Sequence, residues 1–246
     1  MRVNWVTAFL DLPRRADVRA AEAFWLDVTG TTLSARRGEF LEFATLLPAE
    51  GDACLRLQVV DGDGGCHLDL HVEDVRAEIA GAVALGAEVV DDKGTLVVFR
   101  SPGGFPFCVV AHHSESVRPE PAIWPDGQRS AVDQLCLDIP PATYQREADF
   151  WSALTGWERH PAGEFEHLVR PDRMPIRLLL QRLEEPEPFV RAHLDLACDG
   201  REPEVRRHQA LGASFVRATD DWLTLLDPAG LPYCITTRVP AGGAGG

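Results

Sequence analysis

The chain has 246 residues, a formal net charge of −14, 45% hydrophobic residues and 25% charged residues. These proportions are ordinary for a globular protein, and the acidic charge argues against nucleic acid and anionic membranes as partners, because both require a basic patch. The sequence shows no apolar run of transmembrane length and no signal-peptide pattern, so we predict a cytoplasmic protein.

The first 60 residues predict a strand, a helix and two further strands. A strand is expected over 3–12 and a helix over 16–28, which ends close to Gly30 because glycine readily adopts the left-handed conformation after a helix. Two more strands, over 40–47 and 54–60, are separated by turn-forming residues.

The same order of elements then recurs. We predict a strand over 67–72 and a helix over 74–85 whose residues Val75, Ile79 and Val83 face inward. Short strands are expected near 88–90, 96–100 and 105–110. The first half of the chain is therefore predicted to contain two strand–helix–strands units.

Short motifs repeat at a nearly constant distance along the chain. The residues His67-Leu68-Asp69-Leu70 recur unchanged as His193-Leu194-Asp195-Leu196, 126 residues later. The same spacing relates the pair Phe24-Trp25 to Phe150-Trp151. Because chance does not preserve one offset across several motifs, we predict a tandem duplication of a unit of about 115 residues.

The second repeat predicts the same elements. Strands are expected over 132–139, 165–169, 176–181, 193–197, 222–226 and 232–236, with helices over 146–154 and from near Pro203 to Gly212. We predict a first module at 1–113, a proline-rich linker at 114–129, a second module at 130–239 and a disordered tail at 240–246.

Alternation along the strands separates apolar from polar side chains. Leu68, Leu70 and Val72 share one face of their strand, and His67, Asp69 and His71 share the other. The strands that carry Arg56 with Gln58, and Arg177 with Gln181, alternate in the same way. We therefore predict a sheet with helices on its apolar face and a cleft on its polar face. These residues are expected in the ligand cleft: Thr7, Arg56, Gln58, His67, Gln134, Arg177 and Gln181.

Several histidines and cysteines have simpler interpretations. His71 lies where a helix begins, which favours a capping or surface position, and the pair His112-His113 is expected to be solvated. The six cysteines contain no Cys-x-x-Cys pair, which argues against a structural zinc knuckle. We predict reduced thiols that are mostly buried.

These repeated units resemble the vicinal-oxygen-chelate superfamily, which includes glyoxalase I, extradiol dioxygenases and bleomycin-resistance proteins. The resemblance covers nearly the whole chain and rests on the Phe-Trp and Thr-Gly helix ends, the His-Leu-Asp-Leu strands and the turn at Asp227-Pro228-Ala229-Gly230. It implies an α+β fold of two tandem glyoxalase-like modules. Each module would consist of two βαβββ units that form a curved sheet with helices outside and a polar cleft inside.

The resemblance also implies a metal ion in the cleft, held by the first strand, a histidine and a carboxylate on the last strand. The histidine position is His67 in repeat one and His193 in repeat two. The first-strand position is Thr7 or Gln134. The last position holds Cys108 in repeat one and Cys234 in repeat two, where the family has glutamate. Repeat two therefore offers the fuller ligand set: Gln134, His193 and Cys234.

Three functional hypotheses remain open at this point. The first is a protein that binds a small organic molecule without a complete metal site, and the second is a metal-dependent lyase, isomerase or dioxygenase that uses a single divalent ion. The third is metal-free acid–base catalysis by the pairs His67/Asp69 or His193/Asp195. The fold alone does not choose among them, and either a monomer or a homodimer is compatible with a fused pair of modules.

Overall fold

The computed structural model describes residues 1–241, and within them it places four helices and 17 strands. Repeat one contains, in chain order, β1 (Trp5–Pro13), α1 (Val18–Thr29), β2 (Thr32–Leu33), β3 (Phe43–Leu47), β4 (Leu55–Val60), β5 (Gly65–Val72), α2 (Val75–Ala84), β6 (Glu88–Asp92), β7 (Leu96–Arg100) and β8 (Pro106–Ala111). Its eight strands form one sheet in the order β2-β3-β4-β1-β5-β8-β7-β6. The β5–β8 pair is parallel, whereas the pairs of the outer strands are antiparallel.

Repeat two has the same topology. Its elements are β9 (Ala122–Ile123), β10 (Arg129–Ile139), α3 (Tyr144–Thr155), β11 (Glu158–Ala162), β12 (Phe165–Val169), β13 (Arg177–Arg182), β14 (Arg191–Cys198), α4 (Arg201–Ala210), β15 (Ser214–Ala218), β16 (Trp222–Leu226) and β17 (Pro232–Thr236). The strand order β11-β12-β13-β10-β14-β17-β16-β15 matches that of repeat one, and β9 pairs with β10. Two βαβββ units in each repeat confirm the predicted α+β tandem fold.

The helix ends follow from local capping. The Asp17 side chain accepts a hydrogen bond from the Ala20 N–H at the start of α1, and Asp74 does the same for Arg76 and Ala77 at the start of α2. Gly30 ends α1 with a φ of 63°, as predicted. The matching Gly156 ends α3 with a φ of 71°.

Two sequence-based predictions about the elements were wrong in detail. Val83 was predicted to face inward but is 47% exposed, and Ala82 is the residue that α2 buries near its end. The edge strands β2, β11 and β15 were not predicted. Their residues are largely exposed and therefore lack the alternation of apolar and polar residues that marks a half-buried strand.

The chain folds into two compact units. The first unit contains Met1–Ala8, His67–Ser116 and Leu135–Ala192, and the second contains Phe9–Cys66, Val117–Gln134 and the residues from His193 onward. Each unit therefore draws on both repeats. Part of the predicted tail, 242–246, lies outside the described residues.

Each unit has its own aromatic core. In the first unit, the Phe107 ring lies edge-on to Trp151, with ring centroids 5.2 Å apart. In the second unit, Trp25 meets Tyr233 with ring centroids 5.3 Å apart. All six cysteines are buried thiols. No helix within residues 1–241 combines the length and the apolar character that a membrane crossing requires.

The turn between β4 and β5 depends on glycine at position 64. Gly64 has a φ of 77°, and a Cβ atom there would lie 2.4 Å from the Asp11 carbonyl oxygen and 2.7 Å from the Pro13 Cδ. We expect Gly64→Ala to lower the free energy of unfolding by about 2–4 kcal/mol, since backbone strain and a steric clash add together. Urea denaturation measures the change.

A control for this substitution is available in the turn between β11 and β12. Gly163 has a φ of 67°, but a Cβ atom there would meet nothing within 4 Å. Gly163→Ala therefore incurs only the backbone strain, about 1–2 kcal/mol. Equal losses for the two variants would contradict the proposed clash at Gly64.

Candidate functional site

Strand alternation places the polar residues of β14 on one side of the sheet. Leu194 and Leu196 are fully buried on the apolar side, and His193 and Asp195 point to the other. The neighbouring strand β17 runs parallel to β14, and its Cys234 is the register partner of Asp195. The strand pairing therefore brings a histidine, a carboxylate and a thiol together.

Four polar side chains of the second unit form a compact group, which we call the repeat-two group: Gln134, His193, Asp195 and Cys234. The His193 Nε2 atom lies 3.4 Å from the Cys234 Sγ and 3.4 Å from the Asp195 Oδ1. The Gln134 amide Nε2 donates a hydrogen bond to Asp195 Oδ2. All four residues are at most 9% exposed.

The donor atoms of this group are compatible with a metal ion. His193, Asp195 and Cys234 each offer one ligand atom, and these three atoms lie within 4.8 Å of one another. Bonds of about 2.0–2.3 Å from a tetrahedral zinc ion would place neighbouring ligand atoms roughly 3.3–3.8 Å apart, and the two distances of 3.4 Å fall in that range. Gln134, which was predicted as the first ligand, donates its amide Nε2–H to Asp195.

Repeat one has a related group in the first unit. His67, Asp69 and Cys108 also have ligand atoms within 4.8 Å of one another, with His67 Nε2 3.9 Å from Asp69 Oδ1. Thr7 occupies the position of Gln134, but its hydroxyl hydrogen-bonds to the His71 Nε2 at 2.9 Å. The two repeats therefore share the histidine, the aspartate and the cysteine but differ in the residue from the first strand.

The other predicted cleft residues lie on β4 and β13. In the second unit, Arg56 and Gln58 are half-buried, and the Arg56 guanidinium lies over the Phe9 ring at 5.6 Å from its centroid. In the first unit, Arg177 and Gln181 are half-buried, and Gln181 Oε1 accepts a hydrogen bond of 3.4 Å from the Cys136 thiol. The predicted alternation of these strands is thus observed.

The prediction for His71 and His112 was wrong. His71 was expected to cap a helix or lie at the surface, but it is 1% exposed and the cap is Asp74. His112 was expected to be solvated, but its Nδ1 lies 3.4 Å from the Glu115 Oε2 with 21% of its side chain exposed. Strand alternation had already placed His71 on the face of His67 and Asp69. The pairing of β5 with β8, which brings His112 close, was not visible in the sequence.

Comparison with known proteins identifies the fold. A family model described as "Glyoxalase-like domain" matches residues 7–110 and 134–236. Among solved structures, a mutant of 4-hydroxymandelate synthase from Streptomyces coelicolor is 18% identical with a TM-score of 0.61, over 99% of this chain and 94% of that one. No curated protein matches the sequence significantly.

Two dioxygenases are similar to the same extent. A catechol 2,3-dioxygenase is 14% identical with a TM-score of 0.62, over 98% of this chain and 90% of that one. Homoprotocatechuate 2,3-dioxygenase from Arthrobacter globiformis is 16% identical with a TM-score of 0.63, over 97% of this chain and 80% of that one. At these identities the likeness concerns the fold and not the chemistry.

Proposed function

The chain belongs to the glyoxalase-like domain family, within the vicinal-oxygen-chelate superfamily, and on this premise we propose that it binds a small organic molecule at the repeat-two group. The polar side chains of that group would hydrogen-bond the oxygen atoms of the ligand. No metal ion is required for this binding. Because the net charge is −14, we expect neither nucleic acid nor an anionic membrane as a partner.

The observation that supports this proposal is the burial of four polar side chains at one place. Gln134, His193, Asp195 and Cys234 are each at most 9% exposed. Burying polar groups costs free energy, and an apolar set of similar size is often at least as stable. A group of this kind is therefore better explained by a ligand than by stability. His193 and Gln134 can each exchange hydrogen bonds with an oxygen of the ligand.

The names of the structural neighbours suggest which compounds to test. Two of them are dioxygenases named for catechol and homoprotocatechuate, and a third is named for 4-hydroxymandelate. Catechol carries two adjacent oxygens, which suits a histidine and an amide that both contact Asp195. We infer that an aromatic compound with adjacent oxygens is the ligand class to try first.

A second function is favoured by the distances within the group. His193, Asp195 and Cys234 could hold a divalent ion, which would act as a Lewis acid on the oxygens of a bound substrate. The chain's own residues would then orient two of these ligands: Gln134 hydrogen-bonds the Asp195 carboxylate, and Thr224 Oγ1 lies 3.5 Å from the Cys234 thiol. The protein would in that case be a metal-dependent lyase, isomerase or dioxygenase.

Thermal unfolding with catechol tests the binding proposal. The full chain, treated with EDTA, is expected to gain stability with catechol, by about 2.7 kcal/mol when the concentration is 100 times the dissociation constant. His193→Ala should abolish the gain, and His160→Ala, an exposed histidine on β11, should retain it. The absence of any stabilisation by catechol or 4-hydroxymandelate would contradict the proposal.

Metal analysis of the purified protein separates the two functions. If catechol stabilises the chain only after zinc is added, and His193→Ala removes one equivalent of bound metal, the metal-dependent function replaces the metal-free one. If the stabilisation is the same with and without zinc, the metal-free proposal stands.

A further inference from the structure

A second cluster of histidine and carboxylate groups lies at the far end of β5 in the first unit. His71 is the register partner of Val110 in the parallel β5–β8 pair, and the His112 N–H donates to the Val72 carbonyl at 2.8 Å. His112 therefore extends β8 alongside the end of β5. The strand pairing brings two histidines together that are 41 positions apart in the sequence.

The chain then turns back and adds a carboxylate. Ser114 adopts a φ of 87°, which is unusual for a residue with a side chain. The turn returns Glu115 towards His112, and its Oε2 accepts a hydrogen bond of 3.1 Å from the His113 N–H. The loop after β8 therefore positions a carboxylate beside both imidazoles.

The three groups are close enough to share one ion. Glu115 Oε2 lies 3.4 Å from His112 Nδ1 and 4.0 Å from His71 Nδ1, and ligand atoms of the three residues lie within 4.8 Å of one another. Two ligands bound at about 2.1 Å to the same ion stand roughly 3.0–3.4 Å apart when adjacent and about 4.2 Å apart when opposite. Small side-chain adjustments would therefore suffice for coordination.

We propose that His71, His112 and Glu115 form a binding site for a divalent transition-metal ion of the zinc class. Two imidazole nitrogens and one carboxylate oxygen suit borderline ions such as Zn²⁺, Co²⁺ and Fe²⁺, whereas Mg²⁺ and Ca²⁺ prefer oxygen ligands alone. Three protein ligands leave at least one coordination position for water or for a small molecule. This site is separate from the repeat-two group and does not rest on the function proposed for it.

Thr7 fits the role of an orienting residue. Its hydroxyl lies 2.9 Å from His71 Nε2 and is fully buried. Metal-binding histidines commonly donate their second ring N–H to a fixed acceptor, which selects the tautomer and the ring orientation. When His71 Nε2–H donates to Thr7, Nδ1 carries the lone pair, and Nδ1 is the ring atom that lies 4.0 Å from Glu115 Oε2.

Charge and exposure also suit a metal ion. The Glu115 carboxylate supplies an anionic oxygen beside the two imidazoles. The side chain of His71 is 1% exposed, whereas those of His112 and Glu115 are 21% and 20% exposed. The cluster thus has a buried inner ligand and a partly exposed outer side through which an ion can enter.

The absence of a thiol distinguishes this site from the other two groups described above. His67 and His193 each lie with a cysteine, Cys108 or Cys234. Cobalt bound to a thiolate shows strong charge-transfer absorption in the near ultraviolet, and cobalt bound only by nitrogen and oxygen shows weak visible bands. Cobalt spectra therefore report which site is occupied.

Titration of the EDTA-treated full chain with Co²⁺, followed by competition with Zn²⁺, tests the proposal. One equivalent should bind without thiolate charge-transfer absorption. His112→Ala and Glu115→Gln should each weaken binding by at least about 10–100-fold. His113→Ala is the matched control, because this exposed neighbour contributes only its backbone N–H, and it should bind as tightly as the parent.

Three outcomes would overturn the proposal. The first is binding that is unchanged in both His112→Ala and Glu115→Gln. The second is that all of the bound cobalt shows thiolate absorption and is lost in His67→Ala or His193→Ala, which would assign the ion to another group. The third is no binding at millimolar Co²⁺ by the correctly folded parent, which would make the cluster an ionic contact only. Near-ultraviolet circular dichroism confirms folding of each variant.

Discussion

Glu147→Ala is expected to lower the free energy of unfolding by about 3 kcal/mol, and Ser101→Asp is expected to recover part of that loss. Glu147 is completely buried on α3. Its carboxylate accepts hydrogen bonds from Trp151 Nε1 at 2.8 Å and from the Gly103 N–H at 2.7 Å. Alanine would leave the Trp151 and Gly103 donors buried without this acceptor and would also remove the hydrogen bond with the Ser101 side chain. Each buried donor without an acceptor costs about 1–3 kcal/mol.

In the second unit a carboxylate also accepts the buried tryptophan N–H, but it comes from a different position in the repeat. Trp25, which matches Trp151, donates its Nε1–H to Asp227 Oδ2 at 2.8 Å, and Asp227 Oδ1 also accepts from the Leu231 N–H at 2.9 Å. The residues that match Asp227 and Leu231 in repeat one are Ser101 and Phe105. Ser101 accepts from the Phe105 N–H at 3.0 Å and its side chain hydrogen-bonds to Glu147, whose carboxylate accepts the tryptophan N–H in this unit.

The carboxylate therefore comes from a turn in one unit and from a helix in the other. Ala21 of α1 is the match of Glu147, and both are fully buried. Ser101→Asp in the Glu147→Ala background recreates the arrangement of the second unit, so it should stabilise. In the parent protein the same substitution puts a second buried carboxylate beside Glu147, so it should destabilise.

A double-mutant cycle with urea denaturation measures this change of sign. The coupling between Ser101→Asp and Glu147→Ala should exceed about 1 kcal/mol. Asp227→Ser serves as the matched control in the other unit and should destabilise by a similar amount to Glu147→Ala. Additive effects of the two substitutions would contradict the exchange of roles between Ser101 and Glu147.

His208→Ala is expected to lower the free energy of unfolding by about 2–4 kcal/mol at neutral pH. His208 on α4 is fully buried, with its Nδ1 2.9 Å from the Tyr233 hydroxyl and its Nε2 3.1 Å from Glu204 Oε1. Its ring also lies edge-on to Phe24, with centroids 5.7 Å apart. Alanine removes the packing and both hydrogen bonds. His160→Ala, at an exposed position, should change stability by less than about 0.5 kcal/mol.

The loss should shrink as the pH falls. Burial lowers the pKa of His208 below its ordinary 6.5, although the hydrogen bond and charge of Glu204 oppose this shift and Arg207 adds to it. Burial raises the pKa of Glu204, but the hydrogen bonds of His208 and Arg207 prevail, so that pKa lies below its ordinary 4.5. Both folded-state pKa values are lowered, and their stabilising contributions are present above the unfolded values and lost on acidification.

Urea denaturation of the parent and of His208→Ala between about pH 7 and pH 5 measures this trend. The difference in unfolding free energy between the two proteins should decrease as the unfolded-state histidine takes up its proton below its ordinary pKa of 6.5. Taking the difference cancels the contributions of Glu147 and Asp227, whose pKa values burial raises. A difference that grows on acidification would contradict the assignment.

Much of the candidate site was already present in the sequence. The repeated His-Leu-Asp-Leu motif and the alternation of β14 predicted that His193 and Asp195 share a face, and the family resemblance implied that Cys234 on the last strand lies at the same place. The hydrogen bond from Gln134 to Asp195 was not predicted, because it depends on the reach of a side chain across neighbouring strands.

The sequence by itself determined the architecture. A constant offset of 126 residues and the alternation of apolar residues were enough to predict a duplicated pair of strand–helix–strands units, because both signals are local or periodic. The edge strands β2, β11 and β15, which complete units of four strands, were implied only by the family resemblance. Only the tertiary structure decided which distant residues meet. Glu147 reaches Gly103, and Glu115 reaches His71, through strand register and loop conformation. These contacts depend on which strands pair, and a single sequence carries little information about pairing between residues 44 positions apart.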